Sequence, residues 1–296
     1  LKHVAAGTLG GSGTVGNLQV TGTAAPGNSI GTLNVGSITF NPGSTYEVEI
    51  DAAGASDRIV ATGTATINGG AVKVLAGAGN YAPQTQYTIL TAAGGRSGSF
   101  TGGVTSNLAF LTPSLGYDAN NVYLTMTRNS VAFANVGLTW NQVSAGSGVE
   151  SLGQGNSVYN AVLNLSPDQA RGAFDQLSGE IHASARTALV EDSRFLRNAV
   201  NDRLRAASGG VGAGGDPIVT YQDGRPVAAP AATDRLAFWG QGFGSWGRTD
   251  GDGNAAKLER RTGGFFIRAD TAVFDRWRLG AGAGDSRTSF DVKGRH

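Results

Sequence analysis

The run Ser166–Ala207, SPDQARGAFDQLSGEIHASARTALVEDSRFLRNAVNDRLRAA, constrains this chain more than any other stretch. It is helical and charged in a sequence otherwise patterned for strands. Ser166 can cap the first free amides, Pro167 fits the first helical position, and Asp168 faces the positive end of the helix dipole. Gly179 interrupts the pattern, which predicts a short helix to about Leu177 and a longer one from Glu180 to about Arg205. In the second, Ile181, Ala185, Ala188, Leu189, Phe195, Leu196, Ala199, Val200 and Leu204 recur with helical period. Between them lie Glu180, Arg186, Glu191, Asp192, Arg194, Arg197, Asp202, Arg203 and Arg205. A charge at the centre of a bilayer costs roughly 2.5–3.5 kcal/mol, so this helix cannot lie in lipid. Two settings suit it: the surface of a soluble core, or a polar, water-filled tube.

Before the helix the sequence reads as short β-runs: Leu18–Val20, Leu33–Val35, Ile38–Phe40, Tyr46–Ile50, Arg58–Ile67, Ala71–Leu75 and Gln86–Leu90. Turn signals separate them, among them Gly10-Gly11, Pro26-Gly27-Asn28, Pro42-Gly43, Asn68-Gly69-Gly70 and Gly94-Gly95. Glycine, at 47 of 296 residues without a Gly-X-Y period, fits many tight turns and excludes collagen. The echo of GTLGGSGTVGNL in APGNSIGTL suggests a stacked solenoid whose rungs bury their apolar faces only by stacking. A β-sandwich has a similar composition and stays open as the alternative. Gly116–Met126 reads as a hairpin turning at Asp118 to Asn121.

After the helix, residues 208–234 are rich in Gly, Ala and Pro and read as a flexible linker. Three amphipathic runs follow, at about 235–249, 261–274 and 276–291. In the second, Phe265, Ile267, Ala269, Thr271 and Val273 share one face, and Phe266, Arg268, Asp270 and Ala272 the other. In the third, Trp277, Leu279, Ala281 and Ala283 alternate with Arg278 and three glycines. Strands of about 10 residues, apolar on one face with aromatics near the ends, suit an outer-membrane barrel. An ordinary soluble meander alternates in the same way.

A solenoid of small residues, a charged helix and barrel-type strands, in that order, resembles the monomeric autotransporters of Gram-negative bacteria, the type V secretion system. The motifs that carry the resemblance are APGNSIGTLNV (25–35), PGSTYEVEI (42–50), SDRIVATGTATINGG (56–70) and YTILTAAGG (87–95). With them go VTSNLAFLTPSLGYDANNVYLTMTRN (104–129), LSGEIHASARTALVEDSRFLRNAVNDRLR (177–205) and FWGQGFGSWGRTDGDGNAAKLERRTGGFFIRAD (238–270). The resemblance implies a mainly β fold: the end of a right-handed parallel, pertactin-like β-helix over 1–130 with an autochaperone cap, a connecting segment over 131–165 and linker helices over 166–207. The 208–234 linker then leads to the first antiparallel strands of a truncated transmembrane barrel over 235–296. It also implies secretion and display of the protein's own passenger across the outer membrane, with the helix threading a twelve-stranded barrel. The autochaperone core is expected from Tyr46, Val48, Ile50, Tyr87, Ile89, Phe110, Leu111, Tyr123 and Leu124. Glu191, Asp192, Arg194, Arg197 and Arg203 are expected on the lumen wall, and Phe238, Trp239, Phe243, Trp246 and Trp277 at the membrane interface. Implied partners are outer-membrane lipid, the barrel assembly machinery, periplasmic chaperones and a host or surface ligand of the passenger, with no nucleic acid.

Two departures stand out. Arg268 replaces an expected Gly but points to the lumen, and Asp285 replaces an expected aromatic on the lipid side. Three strands cannot close a barrel, so Leu1 and His296 read as the ends of a fragment, with residues 1–130 expected to fold in water and 235–296 to aggregate through open edges.

Catalytic readings are weaker. Glu47, Glu49 and Asp51 lie on the polar face of one strand, a geometry a solvated face explains as well as acid–base chemistry does. Asp57-Arg58 reads as an Asp turn followed by a solvent-facing Arg. His3, His182 and His296 are the only histidines and there is no cysteine, so no metal ligand set or thiol nucleophile is apparent and no cofactor is expected. Asn198, Asn201, Asp202 and Glu191 are available for cleavage within the lumenal helix, without a specific motif. The expectation is a protein that is not an enzyme, with an adhesin the alternative and a polysaccharide-acting β-helix enzyme behind it.

Overall fold

The computed structural model describes residues 2–82, 84–274 and 277–293. The chain divides into two compact units, Leu1–Ser178 and Gly179–His296. The fold is mainly β, with parallel sheets in the first unit and a long helix beside antiparallel strands in the second. No described helix is long and apolar enough to cross a membrane, which says nothing of strands.

In the first unit the short strands coil, each stacking in parallel on the strand one turn earlier. One sheet runs through Lys2–Val4, Leu18–Val20, Ile38–Phe40, Ala65–Ile67 and Arg96–Gly98. A second runs through Thr8–Gly11, Thr23–Pro26, Thr45–Ile50, Ala71–Ala76 and Val104–Ser106. The third passes through Gly13–Val15, Thr32–Val35, Arg58–Ala61 and Gln86–Ala92, and there an antiparallel hairpin, Leu111–Tyr117 with Asn121–Arg128, completes it. Successive side chains alternate between core and solvent, so in-register stacking builds apolar columns. Leu18, Ile38 and Ala65 form one column and Val20, Phe40 and Ile67 the next, all buried.

Glycine sets the corners. The Arg58–Ile67 run, expected as one strand, is two, Arg58–Ala61 and Ala65–Ile67. At the corner between them the Gly63 amide donates to the Gly36 carbonyl at 2.6 Å. A Cβ at Gly63 would lie 2.9 Å from the Gly36 carbonyl oxygen, backbone that cannot turn aside, so only glycine lets the turns approach this closely.

Residues 131–165, expected as a connection, are helical, and with the short helix to Leu177, expected among the linker helices, they form a cap within the first unit. A short turn of helix over Phe133–Val136 leads to α1 (Trp140–Leu152), α2 (Ser157–Leu163) and α3 (Pro167–Leu177). Thr139, Asn156 and Ser166 cap these helices, and Ser166 with Gln169 forms a full capping box. The cap covers the end of the coil. The Phe133 ring packs on Phe110 at 4.6 Å and Tyr159 at 4.8 Å, and the Arg128 guanidinium lies over Phe110 and Phe133 while pairing with Glu150 at 3.2 Å.

In the second unit α4 (Glu180–Ala207) follows Gly179, whose φ of 67° marks the break. An antiparallel sheet completes the unit: the pair Ile218–Gln222 and Arg225–Ala229, then three wall strands, Ala237–Thr249, Lys257–Val273 and Trp277–Lys293. The 218–229 hairpin lies inside the stretch expected to be a flexible linker, and the second wall strand starts four residues before the expected 261.

Candidate functional site: a charged helix against a strand wall

The wall strands have two different faces. On the outer face Phe238, Trp246, Phe265, Ile267, Trp277 and Leu279 stand exposed, Trp246 at 83% and Trp277 at 75%. Asp285 pairs with Phe265 across the strands and shares this outer face, as expected. The inner face carries Trp239, Phe243, Arg260, Thr262, Phe266, Arg268 and Asp270, and α4 packs on it. Trp239 and Phe243, expected at the membrane interface, are therefore inside. Period-two alternation from Phe238 places them there. Phe238, Trp246 and Trp277 keep the outward position.

Two polar anchors and one aromatic stack hold the helix. In the first anchor, Thr262 donates to Asp192 at 2.6 Å, and Arg260 pairs with Glu191 at 3.1 Å and with Asp192 at 3.4 Å. Arg260 also donates to the Ala188 carbonyl at 3.0 Å. The second anchor centres on Asp270. Arg203 grips it with two parallel bonds of 2.9 Å, Trp239 Nε1 donates at 2.8 Å, and Arg278 pairs with it from the third strand. Arg203 and Asp270 are both buried, so their charges persist only because each meets the other and further donors or acceptors. Between the anchors Phe195 stacks on Phe243 at 4.9 Å, and Phe243 on Phe266 at 4.8 Å. Phe243 lies over Gly264, where a Cβ would come within 2.6 Å of the ring. Arg268 sits over the Trp239 and Phe266 rings, on the inner face as expected.

Of the expected lumenal residues, Glu191, Asp192 and Arg203 meet the wall. Arg194 and Arg197 are exposed, Arg194 lying over the Phe195 ring at 5.2 Å. The reason lies in the helix face used. Ala188, Phe195 and Ala199 of the predicted stripe face the strands together with Asp192 and Arg203, whereas its Leu189, Leu196 and Leu204 are exposed. Small residues let the backbone approach, and charges find partners on the wall. Asn198, Asn201 and Asp202 are likewise exposed.

In the first unit, Tyr46, Val48, Ile50, Tyr87, Ile89, Phe110, Leu111 and Leu124 are buried in one core. Tyr123 is not. It faces outward between buried Val122 and Leu124, and its hydroxyl donates to Asp118 at 2.7 Å. Three buried tyrosines end on backbone carbonyls: Tyr46 donates to Ile89 at 2.5 Å, Tyr81 to Ile50 at 2.9 Å and Tyr87 to Asp51 at 2.7 Å. Burial pushes the Tyr81 hydroxyl up to about 12, so these hydroxyls stay donors. Glu47 pairs with Lys73 at 2.8 Å and Asp51 caps its own turn through the Ala53 and Ala55 amides, which accounts for both without catalysis. Asp57 is buried and accepts from the Gly31 and Glu49 amides at 2.8 Å each. Burial is the largest influence on it and raises its carboxyl from 3.8 to about 6. Arg58, expected in solvent, donates to Thr91 at 2.7 Å. His3 lies 3.2 Å from the Thr21 hydroxyl, His182 is exposed, and His296 falls outside the described residues.

The sequence model of the autotransporter β-domain matches residues 238–296, the three wall strands. Residues 238–296 are an autotransporter β-domain. One relative, an extracellular serine protease of Serratia marcescens, is 31% identical over 339 aligned residues, covering 96% of this chain and 31% of its own length. A second protein of that name from the same species is 28% identical over 340 residues, with the same coverage of each chain. The chain thus spans about a third of the length of the relatives it matches. The match supports secretion and surface display, and places the protein in the outer membrane or outside it in a Gram-negative bacterium. It also corrects one expectation. A protein without enzymatic activity was expected, and both relatives are named as proteases.

Proposed function

We propose that this chain joins the end of a secreted passenger to its outer-membrane translocator, and that the whole protein exports a serine protease. The observation that carries the translocator reading is the wall itself. One face pairs, residue by residue, with a charged helix, and the opposite face exposes Phe238, Trp246, Phe265, Ile267, Trp277 and Leu279. A soluble meander has no use for a face of that kind, whereas lipid requires it. In the completed barrel Arg194, Arg197 and Asp202 find partners on strands beyond the three wall strands.

The passenger side supports a chaperone role. The coil, in the right-handed form usual for such β-helices, ends in a sheet closed by the 111–128 hairpin and covered by α1 to α3. That capped end supplies a finished surface on which the preceding rung can stack. The protease reading rests on the names of the two relatives.

The test uses the full-length protein expressed in a Gram-negative host. Three results are expected: an outer-membrane species that migrates faster on an unheated gel than after boiling, passenger accessible to protease added to intact cells, and casein hydrolysis blocked by a serine-directed phosphonate. Loss of the first overturns the translocator reading. Secretion without hydrolysis overturns the protease reading and returns the passenger to adhesion.

A further inference from the structure

The 218–229 hairpin adds two strands to the wall ahead of the segment that matches the β-domain. Its inner strand pairs with the first wall strand at only two positions, Val219 with Phe238 and Thr220 with Ala237. From Trp239 to Thr249 that edge has no partner among the described residues. An unpaired edge cannot persist in a bilayer, because each free amide or carbonyl costs several kcal/mol there.

The hairpin is fixed rather than draped. Four carbonyls in the chain that leads from it to the wall are held from different elements. Arg203 of α4 donates to Ala231 at 2.5 Å, Arg278 of the third strand to Thr233, the Ala272 amide to Asp234 at 3.4 Å, and Thr220 of the hairpin to Leu236 at 2.8 Å. Ile218 and Thr220 are buried, and Tyr221 packs edge-on against Phe238 at 5.5 Å. The hairpin's outer strand is blunted. Pro226, opposite Tyr221, has no amide to offer, and Pro230 follows directly after the strand. Both prolines weaken that side as an edge for a further strand.

We propose that this hairpin is a permanent register stop for closure of the barrel. It occupies the first two positions of the free edge, so the closing strand, a segment of the protein's own β-domain, pairs from Trp239 onward and no earlier. The shear of a barrel follows from where its last strand meets its first, so the hairpin fixes it. Arg203 ties the stop to the lumenal helix by holding Asp270 and the Ala231 carbonyl at once. The proposal rests on the barrel reading above.

Residues 1–296 contain no cysteine, so within this stretch a paired substitution introduces the first two thiols. Val219→Cys with Phe238→Cys places two thiols opposite one another, within about 4.5–5.5 Å at Cβ. In the full-length protein, oxidised in intact cells, the disulfide should form in the folded, heat-modifiable species, with no loss of that species relative to wild type. A folded barrel that does not cross-link, or a cross-linked protein that no longer reaches the heat-modifiable form, overturns the proposal, since the hairpin then has to leave before closure. If the outer pair folds poorly when reduced, Thr220→Cys with Ala237→Cys poses the same question from the inner face. A wild-type protein with no heat-modifiable form at all overturns the barrel reading and this proposal with it.

Discussion

Asp270 has more partners than a single salt bridge requires, and its variants should behave unequally. Removing Arg203 leaves the carboxylate to Arg278 and Trp239, so Arg203→Leu is expected to cost about 2 kcal/mol. Asp270→Leu strands two guanidinium groups and should cost about 3–5 kcal/mol, as breaking a buried pair does. The double variant should recover part of that loss. Unfolding midpoints in detergent decide it; equal costs for the two single variants would rule out the shared arrangement. Asp57 gives a pH signature in the coil. Its folded pKa of about 6 lies above the unfolded 3.8, so between those values the folded state keeps a proton that the unfolded state has released. Stability is then full below about pH 4, falls by on the order of 2–3 kcal/mol as pH rises to about 6, and is level above. Asp57→Asn should flatten that decline in urea titrations at successive pH values, whereas Asp57→Ala should cost about 2–3 kcal/mol throughout by orphaning two amides.

Among the elements, strands and α3 were legible and the rest of the cap was not. Tyr46-Glu47-Val48-Glu49-Ile50 declares its faces by alternation, and stacking keeps each apolar residue on the buried side. The helix α1 buries Gln142, Gly146 and Val149, a contact face too small and polar to give a helical stripe. Its readable signals are Thr139 as cap and Gly153 at the end, φ 74°. The 218–229 hairpin carried a stronger sign that went unread. Asp223-Gly224, with φ of 51° and 77°, is the two-residue turn that joins Gln222 to Arg225. In α4 the period was legible and the buried face only in part: Ala188, Phe195 and Ala199 of the stripe meet the wall, but its leucines stay exposed because the other close positions go to paired charges. Phe133→Ala should cost about 3–5 kcal/mol, since the ring fills the seam between coil and cap. Limited proteolysis should then nick the 111–128 hairpin first; an unchanged cleavage pattern would mean the cap carries no stability for the coil.

For the molecule as a whole, the sequence order of coil, helix and strands was enough to place the family, while the division of the chain came from packing. The first compact unit runs to Ser178, so the fragment expected to fold alone is 1–178 rather than 1–130. Cut at 130, the coil loses the cover over Phe110 and should self-associate; light scattering and urea unfolding of the two fragments compare them directly. If 1–130 is the more cooperative, the cap is dispensable. In the second unit, Ile267→Lys on the outer face should cost about 2–4 kcal/mol at the bilayer midplane and lower the heat-modifiable fraction. The same change would be nearly silent in a soluble meander.

The coil's parallel stacking also sets how it can grow. Lys2 pairs with Leu18, Leu18 with Ile38, Ile38 with Ala65, and Ala65 with Arg96, so the steps close loops of 16, 20, 27 and 31 residues. Because closure entropy rises only with the logarithm of loop length, every step meets nearly the same barrier. Such a structure elongates as a polymer does, by repeated addition at one live end, and its finishing time scales with the number of turns rather than with the complexity of the whole.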